Sequence, residues 1–195
     1  MTDPVTEPTT DAAADSSRLP APGRLHIVED LINTLDLEAG EDELLTPADA
    51  AGWLRERHLL APDDELDDDG LRAVVEVREA LRDLTRFNGG APLPAPTLAA
   101  LQRHSETSPV AVRIADDGSH LEPAVGGARG AIAALLGIVH DATVDGSWRR
   151  LKCCRDDSCR WAFYDHSRNR SSTWCSMAVC GNRAKARTFR RRRHA

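Results

Sequence analysis

Apolar positions recur at helical spacing in several separate stretches of the chain. From Leu25 to Leu37, the residues Ile27, Val28, Leu31, Ile32 and Leu35 fall on one face, which predicts a first core helix. Thr46-Pro47-Ala48-Asp49 then carries the marks of a helix start: a side-chain acceptor, a proline suited to the first helical position and a carboxylate at the positive end of the dipole. That helix runs to about His58, with Trp53 and Leu54 inward, Leu59 and Leu60 closing onto the core, and His58 read as a surface or capping residue. A third helix, Asp69 to Asn88, turns Leu71, Val74, Val75, Leu81 and Leu84 inward and stops at Gly89-Gly90. The acidic run Asp63 to Asp69 suits its N-terminus, and it lacks the glycine and terminal glutamate of a calcium loop.

Beyond the proline-rich linker 92–96, Thr97 to Ser105 reads as a short helix. Val110 to Ile114 alternates apolar and polar, Asp116 to Ser119 is a turn signal, and His120 to Glu122 completes a hairpin. Ala128 to Thr143 returns to helix with Ala131, Ile132, Leu135, Leu136 and Val139 buried; Gly130 and Gly137 weaken it by up to ~1 kcal/mol each unless close packing requires them. Residues 1–23, rich in Thr, Asp, Ala, Ser and Pro, hold too few large apolar groups to offset ordering and are expected to be a disordered tail. The expectation is a mainly α (α+β) chain: a helical domain over 24–146 with one small β-hairpin, then a small module over 147–189 and a basic tail over 190–195.

Charge sharpens that division. The whole chain has a net charge of −6, but from Arg149 onward there are 14 Lys and Arg against 3 Asp and Glu, a net of +11, while 11 basic and 28 acidic residues precede it, a net of −17. A basic end attached to an acidic body fits a polyanionic partner that the body itself avoids. No apolar run approaches a membrane span, and the first twenty residues lack the basic start and apolar core of a signal peptide, so a cytoplasmic protein without a membrane partner is expected.

All five cysteines lie between Lys152 and Arg187. Cys154 and Cys159 are separated by four residues, as are Cys175 and Cys180, so two short loops can bring four thiols to one point. Tetrahedral Zn2+ needs four thiolates about 2.3 Å away, which makes zinc the preferred cofactor. An iron–sulfur cluster takes the same donors, and disulfides lose on compartment. Cys153 could compete with Cys154; Cys154 is preferred because it makes the loops equal in length. Trp161, Phe163 and Tyr164 are expected to pack around the metal, and Cys180-Gly181-Asn182 to open a last helix, with Asn182 capping backbone donors.

Leu151-Lys152, Cys154, Cys159-Arg160-Trp161, Phe163-Tyr164-Asp165, Ser167-Arg168-Asn169, Trp174-Cys175-Ser176-Met177 and Cys180-Gly181-Asn182-Arg183-Ala184-Lys185-Ala186-Arg187 together resemble the CGNR zinc finger. Upstream, Glu29-Asp30-Leu31-Ile32-Asn33-Thr34 and a segment near Arg78 to Leu84 are similar to the ABATE domain, which precedes that finger in bacterial proteins regarded as stress-responsive transcription regulators. The resemblance implies a treble-clef-like four-cysteine module, a DNA partner and a regulatory role. Two features depart from it: Ser172 and Thr173 stand where arginines often precede the Trp-Cys pair, and Cys153 adjoins the first ligand.

The candidate nucleic-acid contacts are Arg168, Arg170, Arg183, Lys185, Arg187, Arg190, Arg191, Arg192 and Arg193. Charge alone does not separate DNA from RNA; the resemblance favours DNA. Lys152, Arg155 or Arg160 could instead answer the charge of a thiolate site. Asn33, polar on an apolar face, either holds a neighbouring backbone or touches a ligand. Asp165-His166-Ser167 invites a catalytic reading, but sequence neighbours rarely converge on one atom, and a non-enzymatic protein is expected. The leading reading is a DNA-binding transcriptional regulator whose N-terminal domain senses a small molecule, a protein or a second copy of itself, with oligomeric state open. The competing readings are a zinc-thiolate redox sensor aided by Cys153, and an RNA-binding or protein-interaction adaptor. Masking of the basic end by the acidic body is a further expectation.

Overall fold

The computed structural model describes residues 18–116 and 118–193 of the 195-residue chain. Six α-helices and three two-stranded antiparallel sheets are described. α1 (Leu25–Asn33), α3 (Asp68–Asn88) and α5 (Gly127–Val144) form the centre, where Val28, Leu31, Ile32, Val74, Val77, Leu81, Ile132 and Leu135 are almost fully buried. α2 (Pro47–Glu56) covers one side through Ala50, Ala51, Trp53 and Leu54, and α4 (Ala95–Thr107) lies along α3. The Thr46 side chain accepts the Asp49 amide at 3.2 Å while the Asp49 carboxylate accepts the Thr46 amide at 3.0 Å, a reciprocal cap that the sequence announces only in part.

α1 ends at Asn33, earlier than its apolar spacing predicts. The Thr34 hydroxyl donates to the Leu31 carbonyl at 2.8 Å, and the chain turns into β1 (Leu35–Asp36), which pairs with β2 (Glu41–Asp42). The helical body therefore has a short second hairpin besides the expected one. Its position is fixed by Arg78, 2% exposed, whose guanidinium makes two bonds to Asp42 at 2.7 and 2.9 Å and donates to the Thr34 hydroxyl at 3.1 Å. One turn on, Arg82, also 2% exposed, donates to the Ile32 carbonyl at 2.7 Å and pairs with Glu79 at 3.0 Å.

The predicted hairpin is present and longer than expected, β3 (Val110–Ala115) with β4 (Gly118–Pro123); Asp117 lies outside the described residues. Gly130 answers the question its place in α5 raises: a Cβ there would collide with the Val125 carbonyl oxygen, so close packing requires glycine.

The compositional boundary near Trp148 is not a packing boundary. After one 3₁₀ turn at Trp148–Arg150, β5 (Leu151–Cys153) pairs with β6 (Ala162–Tyr164), and Leu151, Cys153, Ala162 and Tyr164 join the same core as α1, α3 and α5. Tyr164 thus belongs to the main core rather than to the packing around the thiols. Residues 1–17 of the expected tail lie outside the described residues. Residues 18–23 differ from that expectation: Ala21 is buried and its amide donates to Glu29 at 2.7 Å.

Candidate metal centre and basic helix

Two loops bring the thiols together. The first leaves β5 at Cys154, whose amide donates to the Trp161 carbonyl at 2.9 Å and extends the hairpin by one rung. It then tightens around Asp156: the Cys159 and Arg160 amides both donate to the Asp156 carbonyl at 3.0 Å, the Ser158 hydroxyl donates to its carboxylate at 3.0 Å, and Arg160 takes a positive φ of 49°. The second loop is tied to the first by the Arg155 amide, which donates to the Thr173 carbonyl at 2.9 Å. Beyond Cys175 the chain makes one π-helical turn, Met177–Gly181, and runs on into α6 (Asn182–Arg193). Ser176 starts this turn by accepting the Val179 amide at 3.3 Å.

The cap therefore falls on Ser176. Asn182, expected to cap backbone donors, instead lies inside the helix and donates to the Ala178 carbonyl at 2.9 Å. A Cβ on Gly181 would stand 2.8 Å from the Met177 side chain and 3.4 Å from Trp174, so glycine admits these groups beside the cysteine that precedes it.

The Sγ atoms of Cys154, Cys159, Cys175 and Cys180 lie within 4.8 Å of one another, with Cys159–Cys175 at 3.6 Å and Cys175–Cys180 at 3.7 Å. Four thiolates around a tetrahedral ion with bonds of about 2.3 Å stand about 3.8 Å apart, so the donor set fits zinc in type, number and spacing. Trp161 and Trp174 pack against it. Crowding governs the protons: hydrogen bonds from Cys159 and Cys175 hold the Cys154 thiol down, the Cys159 and Cys175 thiols are pushed up chiefly by Cys154, and burial pushes Cys180 up. Thiols so close cannot all ionise without a compensating cation.

Cys153 is not part of the cluster. Its side chain enters the core on the α3 side, where Sγ lies 2.9 Å from the Thr85 hydroxyl and burial pushes its pKa up to about 11. Of the two adjacent cysteines, Cys154 is the one whose thiol lies in the cluster.

Around the thiols, the basic groups have separate tasks. Lys152 is buried, and its ammonium donates to Asp165 at 2.8 Å, to the Arg170 carbonyl at 2.6 Å and to the Ser172 carbonyl at 3.3 Å, so it holds the loop that leads to Cys175. Burial opposes the charge on Asp165, but the Lys152 ammonium and the bonds from Ser167 and Ser172 outweigh it and keep the carboxyl well below the usual range. His166 is engaged elsewhere, with Nε2 3.0 Å from the Leu19 carbonyl, while the Ser167 amide donates to Asp165, so the three side chains do not form a relay. Phe163 is buried beneath Arg18, whose guanidinium stacks 4.7 Å from its ring and donates to the carbonyls of Cys175 and Trp174 at 2.7 and 3.0 Å.

α6 buries no residue. Arg183 makes a two-bond pair with Glu38 of the β1–β2 turn at 2.5 and 2.8 Å, and Arg187 pairs with Asp156 at 2.9 Å. Lys185, Arg190, Arg191, Arg192 and Arg193 are exposed, and among the described residues no carboxylate lies within 4.0 Å of their charged groups. Arg190 to Arg193 continue the helix rather than forming a separate tail. Arg168 and Arg170 are exposed on the loop that Lys152 holds.

The sequence does not reveal what secures this module to the body. Asn33 accepts the Ala162 amide at 2.7 Å and donates to the Ala162 carbonyl at 3.1 Å, which settles its role as a backbone clamp on β6. Asn88 donates to the carbonyls of Trp148 and Leu151 at 2.9 and 3.0 Å. Arg78 and Arg82 were legible to the extent that both lie on the stripe begun by Val74 and continued to Thr85, where an arginine must be paired if buried.

The profile of the ABATE family, described as "Putative stress-induced transcription regulator", matches residues 25–145, and that of the CGNR zinc finger matches residues 150–193. No curated protein matches the chain. No helix among the described residues is long and apolar enough to cross a membrane. With its helical body, its four converging thiols and these two matches in this order, the chain belongs to the ABATE family and carries a CGNR zinc finger at its C-terminal side.

Proposed function

We propose that this chain is a non-enzymatic, cytoplasmic DNA-binding regulator in which zinc, held by Cys154, Cys159, Cys175 and Cys180, sets the start of a basic recognition helix. The observation that carries this reading is the position of α6: its first turn grows out of the turn bearing Cys180, it buries nothing, and it carries Arg183, Lys185, Arg187 and Arg190 to Arg193 away from the core. Zinc supplies folding free energy and a fixed geometry. The protein's own residues supply cations for phosphate oxygens, with counterion release favouring a polyanion. Arg168 and Arg170, on the loop pinned by Lys152, flank the site as further contacts.

DNA is favoured over RNA by the family, and the acidic helical body is the part that receives a small-molecule or protein signal. A redox-sensor reading gains nothing from Cys153, whose raised pKa and burial make it a poor nucleophile. The test is a binding isotherm of the zinc-loaded protein on duplex DNA of random sequence across a salt series. Binding that weakens steeply with salt supports the reading, and no binding at low salt opposes it.

A further inference from the structure

Among the described residues, β3 has one paired edge and one open edge. Its register with β4 sets Val110 opposite Pro123, Val112 opposite Leu121 and Ile114 opposite Ser119. Just beyond the strand, the Ala124 amide donates to the Pro109 carbonyl at 2.9 Å, which fixes the phase of the ladder. In an antiparallel pair, backbone groups point alternately toward and away from the partner. Residues 109, 111, 113 and 115 therefore turn theirs toward β4, and Val110, Val112 and Ile114 present N–H and C=O along the open edge. The same three residues are 42%, 64% and 81% exposed.

Solitary proteins blunt such an edge with lysine, proline, a bulge or extreme shortness. β3 has six residues and none of these devices. Its one charge, Arg113, lies on the opposite face and is engaged by Glu122 of its own hairpin at 2.9 Å.

We infer that β3 is an interface for a second copy of this chain, which adds its own β3 antiparallel across a two-fold axis at Val112. That register places Val112 against Val112, and Val110 against Ile114 in both directions. All three pairs are of the hydrogen-bonded kind, so the open N–H and C=O groups are satisfied on both strands. On one face every opposed pair is apolar. On the other, Arg113 meets Ala111, so like charges do not oppose and each Arg113 keeps its Glu122. A shift of two residues in either direction keeps the backbone phase but loses an apolar pair to Ser108 or Asp116, which selects the symmetric register. A second copy satisfies both the open backbone groups and the apolar side chains of the edge in one register.

The mass of the full zinc-loaded chain, measured by light scattering across a concentration series, tests this together with amide hydrogen exchange. The expected result is a rise from one chain to two, with exchange at Val110, Val112 and Ile114 slowing as the dimer forms while Ala111 and Arg113 are slow throughout. Val112→Lys, at a well-exposed site, is expected to halve the mass to that of one chain. A wild-type mass of one chain at every concentration would overturn the inference. So would a dimer that survives Val112→Lys while the three edge amides exchange as fast as in the monomer.

Discussion

Asn33 spends both ends of its amide on one residue of β6, and Ala162 there is 1% exposed. Replacing Asn33 with Leu strands an amide and a carbonyl in the core, at about 1–3 kcal/mol each. Urea unfolding should show a loss of that order. Lys152 and Asp165 are coupled more tightly: with Asp165 fully buried, Asp165→Asn leaves an ammonium without its counter-charge, a loss of about 3–5 kcal/mol by the same measurement. Their pH signature has a definite sign. Asp165 and Asp42 both have lowered pKa values, held down by Lys152 and Arg78 against burial, so their contribution is fully present above the ordinary carboxylate range and is lost as pH falls through the lowered folded values. The urea midpoint should fall with acidification below about pH 4, and the Asp165→Asn protein should show less of that fall. At Glu38 the effect is on binding. On the proposed reading the carboxylate would compete with phosphate for Arg183, so Glu38→Gln should tighten duplex binding at low salt by roughly 2- to 5-fold, the scale of an exposed ion pair.

Among the elements, α6 and the two loops before it are expected to depend most on the proposed zinc. Cys159→Ser or Cys175→Ser removes a donor from a set that has no spare, since Cys153 points into the core. Zinc should be lost in native mass spectrometry, and helical circular dichroism should fall by about the share of α6 while the β5–β6 hairpin persists on α1 and α3. Replacing Arg190 to Arg193 with Gln should weaken binding on all sequences and reduce the salt slope by ~0.9 for each phosphate that is no longer neutralised; an unchanged slope would mean that those residues touch no phosphate. The elements themselves were largely legible in the sequence. Periodicity located α3 and α5, the capping signal at Thr46 located α2, the turn signal located the β3–β4 hairpin, and the cysteine spacing identified the four converging thiols, because each of these is local information. The early end of α1 was not legible, since Leu35 continues the apolar spacing and only the pairing of β1 with β2, braced by the Arg78–Asp42 contact, draws the chain out of the helix. The capping role of Ser176 was hidden for a similar reason: a π turn shifts the helix start ahead of the Cys-Gly-Asn-Arg run.

For the whole molecule, the charge division and the packing division do not coincide. The change from a net −17 to a net +11 falls at residues 148–149, yet Leu151, Ala162 and Tyr164 are buried in the core of the acidic body. Masking of the basic end by that body is therefore confined, among the described residues, to the Glu38–Arg183 pair. Removing residues 1–148 would strip β5 and β6 of their support as well as removing that pair, so Glu38→Gln isolates the masking and truncation does not. Residues 18–21 add a strap across the second cysteine loop through Arg18 and the Leu19 carbonyl, which makes the metal centre part of the body's stability. In the proposed function, four thiolates and one zinc ion hold a basic helix in position for DNA. The most direct test is fluorescence anisotropy of a labelled duplex titrated with the full-length protein, with the metal present and after its removal by chelator. Tight, salt-sensitive binding by the zinc-loaded protein that falls when zinc leaves and returns on its re-addition is the predicted result; equal binding by the zinc-loaded and zinc-free forms would contradict it.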